Sequence, residues 1–310
     1  MELFGILNVH KPRGWTSFDV VALVRRLSGV RRVGHAGTLD PAATGVLPVC
    51  LGQATRLAEY LMAATKTYRA QVQLGVATDT YDAEGADTFD GDPSGLTPTD
   101  VEGALASFRG RIRQAPPPFS AVKHRGEPLY RYARSGAPVA EVKEREVFVH
   151  RIQVLEFSSP FLTVEVECGS GTYIRSLAHD LGRKLGCGAH LRSLVRTRVG
   201  PFTLAEACTV DQLRAVLAEG WWPEVVQYPD VMLTHWWAAI LGDESEKALR
   251  MGRALLLGGQ PPAEGEPEVR GELCRAYSLD GHLIAVLRRD GYAGVWRPVK
   301  VLSPPRTGEI

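Results

Sequence analysis

Residues 34–45 read Gly-His-Ala-Gly-Thr-Leu-Asp-Pro-Ala-Ala-Thr-Gly, and this stretch is the most informative one in the chain. Its twelve residues combine one carboxylate, one imidazole, three glycines and one proline. Glycine permits left-handed backbone and the close approach of a ligand, whereas Pro41 disfavours the helical region for Asp40. The composition therefore predicts a rigid loop that carries Asp40 into a buried place. A simpler alternative is that Asp40 caps a short helix opened by Pro41, because both residue types favour those positions.

The overall composition is that of an ordinary globular protein. The chain has 310 residues, 45% hydrophobic and 23% charged, a length that suggests about two domains. No apolar run approaches the ~20 residues that span a bilayer, and the N-terminus lacks the basic start of a signal peptide. The five cysteines form no C-x-x-C pair, which argues against a disulfide framework and a zinc ribbon. We therefore expect a cytoplasmic protein without a membrane anchor.

Charge is distributed unevenly along the chain. Residues 101–200 carry 16 Lys and Arg against nine Asp and Glu, although the whole chain has a formal net charge of +1. A basic middle third fits a surface that meets phosphate, but interspersed solvated charges would give the same count. Residues 115–145 interleave basic and aromatic side chains, which fits either an RNA-gripping insertion or a mobile surface loop.

The segment 79–92 is acidic instead. It holds six carboxylates and no basic residue, but it lacks the regular spacing of a calcium loop. We therefore interpret it as a solvated hairpin or loop rather than a cation site.

Hydrophobic periodicity predicts a mixture of helices and strands. The predicted strands are 4–9, 67–74, 147–157, 161–168, 273–278, 282–287 and 295–302. The predicted helices are 18–27, 54–62, 100–108, 176–185 and 243–253. Composition shifts after about residue 230, and Asp280-Gly281 is a good hairpin turn. We expect a small, separate β domain of the barrel type at the C-terminal end.

Six short motifs follow one another in a defined order. They are residues 9–17 (VHKPRGWTS), 34–41 (GHAGTLDP), 43–48 (ATGVLP), 66–68 (KTY), 171–175 (GTYIR) and 186–191 (GCGAHL). Together they closely resemble the TruB family of tRNA pseudouridine synthases, over residues 3 to about 210. Near the end of the chain, residues 295–302 (VWRPVKVL) are similar to PUA RNA-binding modules, over a shorter and less specific stretch.

The resemblance implies both a fold and a reaction. The implied fold is α+β, with a mixed, mostly antiparallel sheet and flanking helices in residues 1–230 and a PUA-like β barrel in residues 231–310. The implied reaction is isomerisation of uridine to pseudouridine at position 55 in the T loop of tRNA. It proceeds by base flipping, glycosidic bond cleavage and rejoining through C5. No cofactor, metal or protein partner is implied, and the expected partner is tRNA, through its T arm and acceptor side.

The resemblance assigns the chemistry to three residues. Asp40 matches the catalytic aspartate, a carboxylate that could attack C1′ of ribose or C6 of uracil, or assist loss of the C2′ proton. Arg175 matches the arginine that pairs with it and would keep a desolvated carboxylate ionised. A cation in the first turn of a helix is unfavourable alone, so an anionic partner is expected. Tyr68 matches a tyrosine that lies against the target base and could help remove the C5 proton.

Further residues are candidates for binding RNA. His35 matches the residue that enters the space in the T loop when the uridine flips out. Tyr173 and Leu194 match positions that line the base pocket, although Leu194 suits a plain core position equally well. The candidates for phosphate contacts are Lys123 in the insertion, Arg192, Arg196 and Arg198.

Two other functions stay open on the sequence alone. A tRNA-binding folding chaperone would use the same basic insertion without chemistry, and Asp40→Asn would then leave its function intact. A metal-dependent hydrolase using the carboxylates of residues 79–92 would lose activity with a chelator. We also expect residues 115–145 to be mobile without RNA and ordered with it.

Overall fold

The computed structural model describes residues 3–135, 142–257, 273–291 and 294–303. The strands are β1 (Gly5–Lys11), β2 (Val33–His35), β3 (Thr44–Leu51), β4 (Lys66–Leu74), β5 (Val76–Thr78), β6 (Asp87–Asp90), β7 (Gly110–Gln114), β8 (Lys123–His124), β9 (Glu127–Pro128), β10 (Arg145–Ser158), β11 (Phe161–Cys168), β12 (Ala189–Val199), β13 (Phe202–Thr203), β14 (Cys208–Thr209), β15 (Val226–Gln227), β16 (Trp237–Ile240), β17 (Leu255–Leu256), β18 (Leu273–Tyr277), β19 (Leu283–Arg289) and β20 (Val295–Val301). The α-helices are α1 (Ser17–Ser28), α2 (Ala58–Ala63), α3 (Pro98–Ala106), α4 (Leu129–Arg134), α5 (Ile174–Leu185), α6 (Val210–Ala218), α7 (Trp222–Val225) and α8 (Asp243–Arg250). Gly52–Leu57 and Val231–Leu233 are 3₁₀ helices.

A large mixed sheet forms the body of the protein. Its strand order is β14-β1-β3-β12-β4-β11-β10-β7, with β2, β13 and β15 paired at its sides. Most neighbours are antiparallel, whereas β14 runs parallel to β1 and β12 runs parallel to β3. Together with the helices around it, this sheet confirms the predicted α+β fold class.

The sheet is covered by helices on the face that carries the buried side chains of β4. These side chains include Tyr68, Ala70 and Val72, and they share a core cluster with Leu105 of α3 and Leu177 of α5. Burying a leucine of this kind contributes about 2 kcal/mol. The alternation of β4 therefore fixes which face of the sheet receives α3 and α5.

Two central strands were missing from the sequence prediction. Strand β3 is buried on both faces, so it shows no alternation, and it contains Pro48. Strand β12 has register shifts near Leu191 and between Arg196 and Arg198, which break its alternation. Both patterns hide a strand from a search for period two.

The helix ends follow from capping. Thr16 caps α1 in a reciprocal pair with Asp19, a contribution of about 1 kcal/mol. Thr97 caps α3 in the same way, and Pro98 occupies the first helical position, so the helix begins two residues before the predicted range 100–108.

A second sheet lies at the C-terminal end, with the order β16-β18-β19-β20-β17. It curls into half a barrel, as expected of a PUA-like module. Its residues Leu283 and Val286 share a core cluster with Ile6, Val46 and Leu57 of the larger unit. The domain boundary near residue 230 stays a prediction, and residues 258–272, 292–293 and 304–310 of the predicted barrel lie outside the described residues.

The predicted insertion, residues 115–145, is described except for 136–141, which lie outside the described residues. It contains the short hairpin β8–β9 and helix α4. Its expected ordering on RNA stays a prediction. None of the helices described is both long and apolar enough to span a bilayer.

Candidate active site

The Asp40 loop, residues 36–43, joins β2 to β3. All of its residues are described, and they form bends and a turn rather than a helix. The Ala43 amide donates to the Asp40 carbonyl at 3.0 Å, and β3 begins at the next residue. The helix-cap alternative for Asp40 was therefore wrong. The Asp40 side chain is 48% exposed, so the prediction that the loop carries it into a buried place was wrong, and a substrate can reach the carboxylate.

Groups from the first motif hold the middle of this loop. The Ser17 hydroxyl accepts from the Leu39 amide at 2.9 Å and donates to the Leu39 carbonyl at 3.1 Å. The buried Lys11 ammonium donates to the Pro41 carbonyl at 3.4 Å, and the Gly14 amide donates to the same oxygen at 2.8 Å. The residues on both sides of Asp40 are thus fixed by buried or main-chain donors.

Arg196 holds the start of the same loop. It is only 1% exposed, and its guanidinium donates to the carbonyls of Gly37 at 3.0 Å, Thr38 at 3.4 Å and Val46 at 2.7 Å. The predicted phosphate contact is therefore wrong, because this cation is buried under the loop. The register shift in β12 separates it from Arg198, which is exposed. Residue type alone could not show that register.

Arg175 lies at the centre of the site, in the first turn of α5. Its Nη2 is 3.0 Å from Asp40 Oδ2 and donates to the Phe119 carbonyl at 3.0 Å. Its Nη1 is 3.3 Å from Asp82 Oδ2 and donates to the Thr80 carbonyl at 3.2 Å. The Arg175 side chain is 9% exposed, so these acceptors replace most of the water around it. One arginine therefore joins the Asp40 loop, the acidic segment and the base of the insertion.

Asp82 is the site residue that sequence reasoning missed. Its side chain is 16% exposed, and it accepts from the Thr80 hydroxyl at 2.6 Å and the Glu84 amide at 3.1 Å. The other five carboxylates of residues 79–92 are exposed. Nothing in their spacing distinguishes Asp82, because the distinction arises from the way the hairpin β5–β6 folds against α5.

The two tyrosines lie close enough to Asp40 to feel its charge. Burial raises the pKa of the Tyr68 phenol, and the nearby Arg196 charge opposes this rise. Tyr173 precedes α5, and burial raises its pKa as well. The buried Gln114 side chain accepts from the Tyr173 amide at 2.8 Å and donates to its carbonyl at 3.0 Å. Leu194 packs at the edge of the core cluster that contains Tyr68.

The remaining candidates occupy different surroundings. His35 is half-buried on β2, and burial, together with the Arg196 charge, lowers its pKa, so the imidazole is neutral at neutral pH. Lys123 is exposed on the hairpin β8–β9. Arg192 lies 4.6 Å from the Phe161 ring and bonds to Gln73, on the sheet face opposite Tyr68. Its contact with RNA at this site therefore lacks support from the geometry.

Within the described ranges, no group of three or more His, Cys, Asp or Glu side chains is arranged to hold a metal ion.

Comparisons with known proteins give this site a family. A profile for the N-terminal domain of TruB family pseudouridylate synthases matches residues 25–174. A profile for the tRNA pseudouridylate synthase B C-terminal domain matches residues 175–228. The chain belongs to the TruB family. This confirms the resemblance inferred from the six motifs.

Individual relatives extend the match over nearly the whole chain. A Dehalococcoides mccartyi protein named tRNA pseudouridine synthase B is 44% identical over 301 residues, which cover 97% of each chain. A protein of the same name from Symbiobacterium thermophilum is 54% identical over 217 residues, covering 69% of this chain and 72% of the relative.

Solved structures of the same fold are also similar. A chain in a Cbf5-Nop10-Gar1 complex has a TM-score of 0.71 at 28% identity, covering 97% of this chain and 84% of that chain. A chain in an H/ACA RNP bound to a substrate RNA containing 2′-deoxyuridine has a TM-score of 0.70 at 27% identity, covering 98% and 86%. None of these findings favours the chaperone alternative.

Proposed function

We propose that this protein isomerises uridine to pseudouridine at position 55 in the T loop of tRNA. Membership of the TruB family supports the reaction class, and relatives named tRNA pseudouridine synthase B support tRNA as the substrate. The observation that carries the proposal is the 3.0 Å pair between Arg175 and a half-exposed Asp40. It provides a carboxylate that is both held in place and open to a nucleotide.

Asp40 is the proposed essential carboxylate. The Arg175 guanidinium, 3.0 Å away, pairs with this carboxylate and holds it in place. Arg175 is shared with Asp82, so one cation faces two anions and Asp40 is not fully neutralised. A carboxylate in this state can attack carbon or accept a proton, and the three chemical routes named above remain equally compatible with it.

The two tyrosines are proposed to act on the base. Tyr68 lies on the same sheet face as the Asp40 loop and keeps its proton at neutral pH, because burial raises its pKa. Its ring can stack against uracil, and its hydroxyl can assist the transfer of the C5 proton. Tyr173 and Leu194 complete an apolar surface that excludes water from the detached base.

Base flipping is proposed to depend on His35. A neutral, half-buried imidazole can enter the gap in the T loop, where it stacks and forms hydrogen bonds. Lys123 is proposed to contact phosphate from the insertion. The C-terminal sheet is proposed to bind the acceptor side of the tRNA, and no protein partner is required.

The proposal is tested by mapping the product in a full-length tRNA transcript. The purified protein is incubated with the transcript in the presence of EDTA, and pseudouridine is located at single-nucleotide resolution. We expect modification at position 55 alone, and none in a matched transcript with cytidine at that position. Modification elsewhere, or binding without any modification, would contradict the proposal.

A further inference from the structure

We propose that Tyr81 and His179 form a stacked pair that positions Asp82 against Arg175. This inference rests on the proposed function, because it deepens the role of the same site. The two rings lie 3.8 Å apart between centroids and are inclined by only 12°. Neither residue belongs to the motifs that revealed the site, and we assign both as positioning residues.

The spacing of the four residues makes a two-point attachment. Tyr81 and Asp82 are adjacent in the hairpin, whereas Arg175 and His179 lie one turn apart on α5. Residues four apart on a helix face the same side. Helix α5 therefore contacts the hairpin at two points, through the ion pair with Asp82 and through the ring stack with Tyr81.

The backbone at Tyr81 needs such support. Its φ is +65°, in the left-handed region that non-glycine residues rarely adopt. The Leu191 amide donates to the Tyr81 carbonyl at 3.0 Å, and the Ala83 amide donates to the Leu191 carbonyl at 3.1 Å. These bonds tie the hairpin to β12, while the stack ties it to α5.

His179 contacts Tyr81 through the face of its imidazole ring. Its Nδ1 is buried and has no hydrogen-bond partner within the described part of the chain. A histidine held for hydrogen bonding would have that atom satisfied. The parallel Tyr81 ring stacks on this imidazole, which predicts that another flat ring can replace it.

The experiment measures the single-turnover rate and tRNA affinity of Tyr81→Gly, Tyr81→Phe, His179→Ala and His179→Phe. Glycine accepts a φ of +65° without strain, so Tyr81→Gly removes the ring while keeping the backbone. We expect Tyr81→Gly and His179→Ala to lower the rate about fivefold without changing the dissociation constant. Both phenylalanine variants should retain the rate of the unaltered protein.

A double-mutant cycle shows whether the pair acts through Asp82. We expect Tyr81→Gly to cost far less in an Asp82→Asn background than alone, because the residue it positions is already disabled. Phe148→Ala is the control, since the centroid of the Phe148 ring lies 4.7 Å from that of His150 in a ring pair on the exposed face of β10. Equal losses in both backgrounds, or a loss with Tyr81→Phe as large as with Tyr81→Gly, would overturn the proposal.

A readout independent of activity separates this proposal from the proposed function. Hydrogen exchange at the Ala83 and Leu191 amides should accelerate in Tyr81→Gly and stay unchanged in Phe148→Ala. An inactive unaltered protein would contradict the proposed function, yet faster exchange would still support the stacked pair. Unchanged exchange in Tyr81→Gly would overturn it.

Discussion

Two loops deliver carboxylates to Arg175, and they are held in different ways. The Asp40 loop is fixed from below by buried cations, Lys11 and Arg196, which donate to its carbonyls. The hairpin that carries Asp82 is fixed by main-chain hydrogen bonds to β12, by the Thr80 hydroxyl and by a ring stack on α5. The cationic support tolerates little change because an unpaired buried charge or carbonyl is costly. The supports of the hairpin carry no charge, so we expect their removal to lower the rate by smaller amounts.

The largest effect is expected for Arg196→Met, which removes one of the two buried cations that support the Asp40 loop. Three carbonyls of the Asp40 loop region lose their donor, so the unfolding free energy should fall by about 3 kcal/mol. Displacement of Asp40 by about 1 Å should lower the single-turnover rate about 100-fold. Denaturant unfolding and tritium release measure the two effects. Arg198→Met, on the exposed side of the same strand, is the control; at saturating RNA it should change neither, because a phosphate contact acts on affinity alone.

A smaller loss is expected for Asp82→Asn. Arg175 keeps Asp40 but loses its second carboxylate, so we expect a rate about 30-fold lower, or about 2 kcal/mol. Affinity for tRNA should not change. Asp87→Asn, at an exposed carboxylate of the same hairpin, is the matched control. If Asp82→Asn were as fast as its control, the Asp82 carboxylate would not contribute to the rate, which would contradict this prediction.

The pH dependence of stability tests the cationic support separately. Burial lowers the pKa of Lys11 from 10.5 to about 8. The unfolded chain therefore binds more protons between pH 8 and 10.5, so the Lys11 contribution to the free energy of unfolding increases with pH across that window. The measurement is the difference in unfolding free energy between the unaltered protein and Lys11→Met. A difference that stays flat or falls between pH 8 and 10 would contradict a buried, desolvated Lys11.

The smallest expected effect concerns RNA contact away from both loops. Lys123→Ala should weaken tRNA binding a few-fold and reduce the slope of log affinity against log salt by about 1. Arg192→Ala is the comparison, because Arg192 lies over Phe161 on the opposite sheet face. Its slope should match that of the unaltered protein. Equal changes in the salt dependence of the two variants would indicate that both cations contact phosphate, which would contradict this prediction.

The same contrast explains what sequence could reveal. The residues of the Asp40 loop are contiguous and form one motif. The family resemblance therefore named Asp40, and it named the pairing partner Arg175 from a second motif, residues 171–175. Asp82 resembles its five acidic neighbours, and only the folding of the hairpin against α5 singles it out. Arg196 was placed on the surface because its inward direction depends on a register shift in β12. Strand β3 was missed for a related reason, since burial on both faces removes alternation.

The most direct measurement is tritium release from a T-arm RNA hairpin labelled at C5 of uracil, with EDTA present throughout. The unaltered protein and Asp40→Asn are compared at RNA concentrations that saturate both. We expect release from the unaltered protein and none above background from Asp40→Asn, with equal RNA affinity. Release at similar rates from both proteins, or from neither while both bind tightly, would contradict an isomerase that depends on the Asp40 carboxylate.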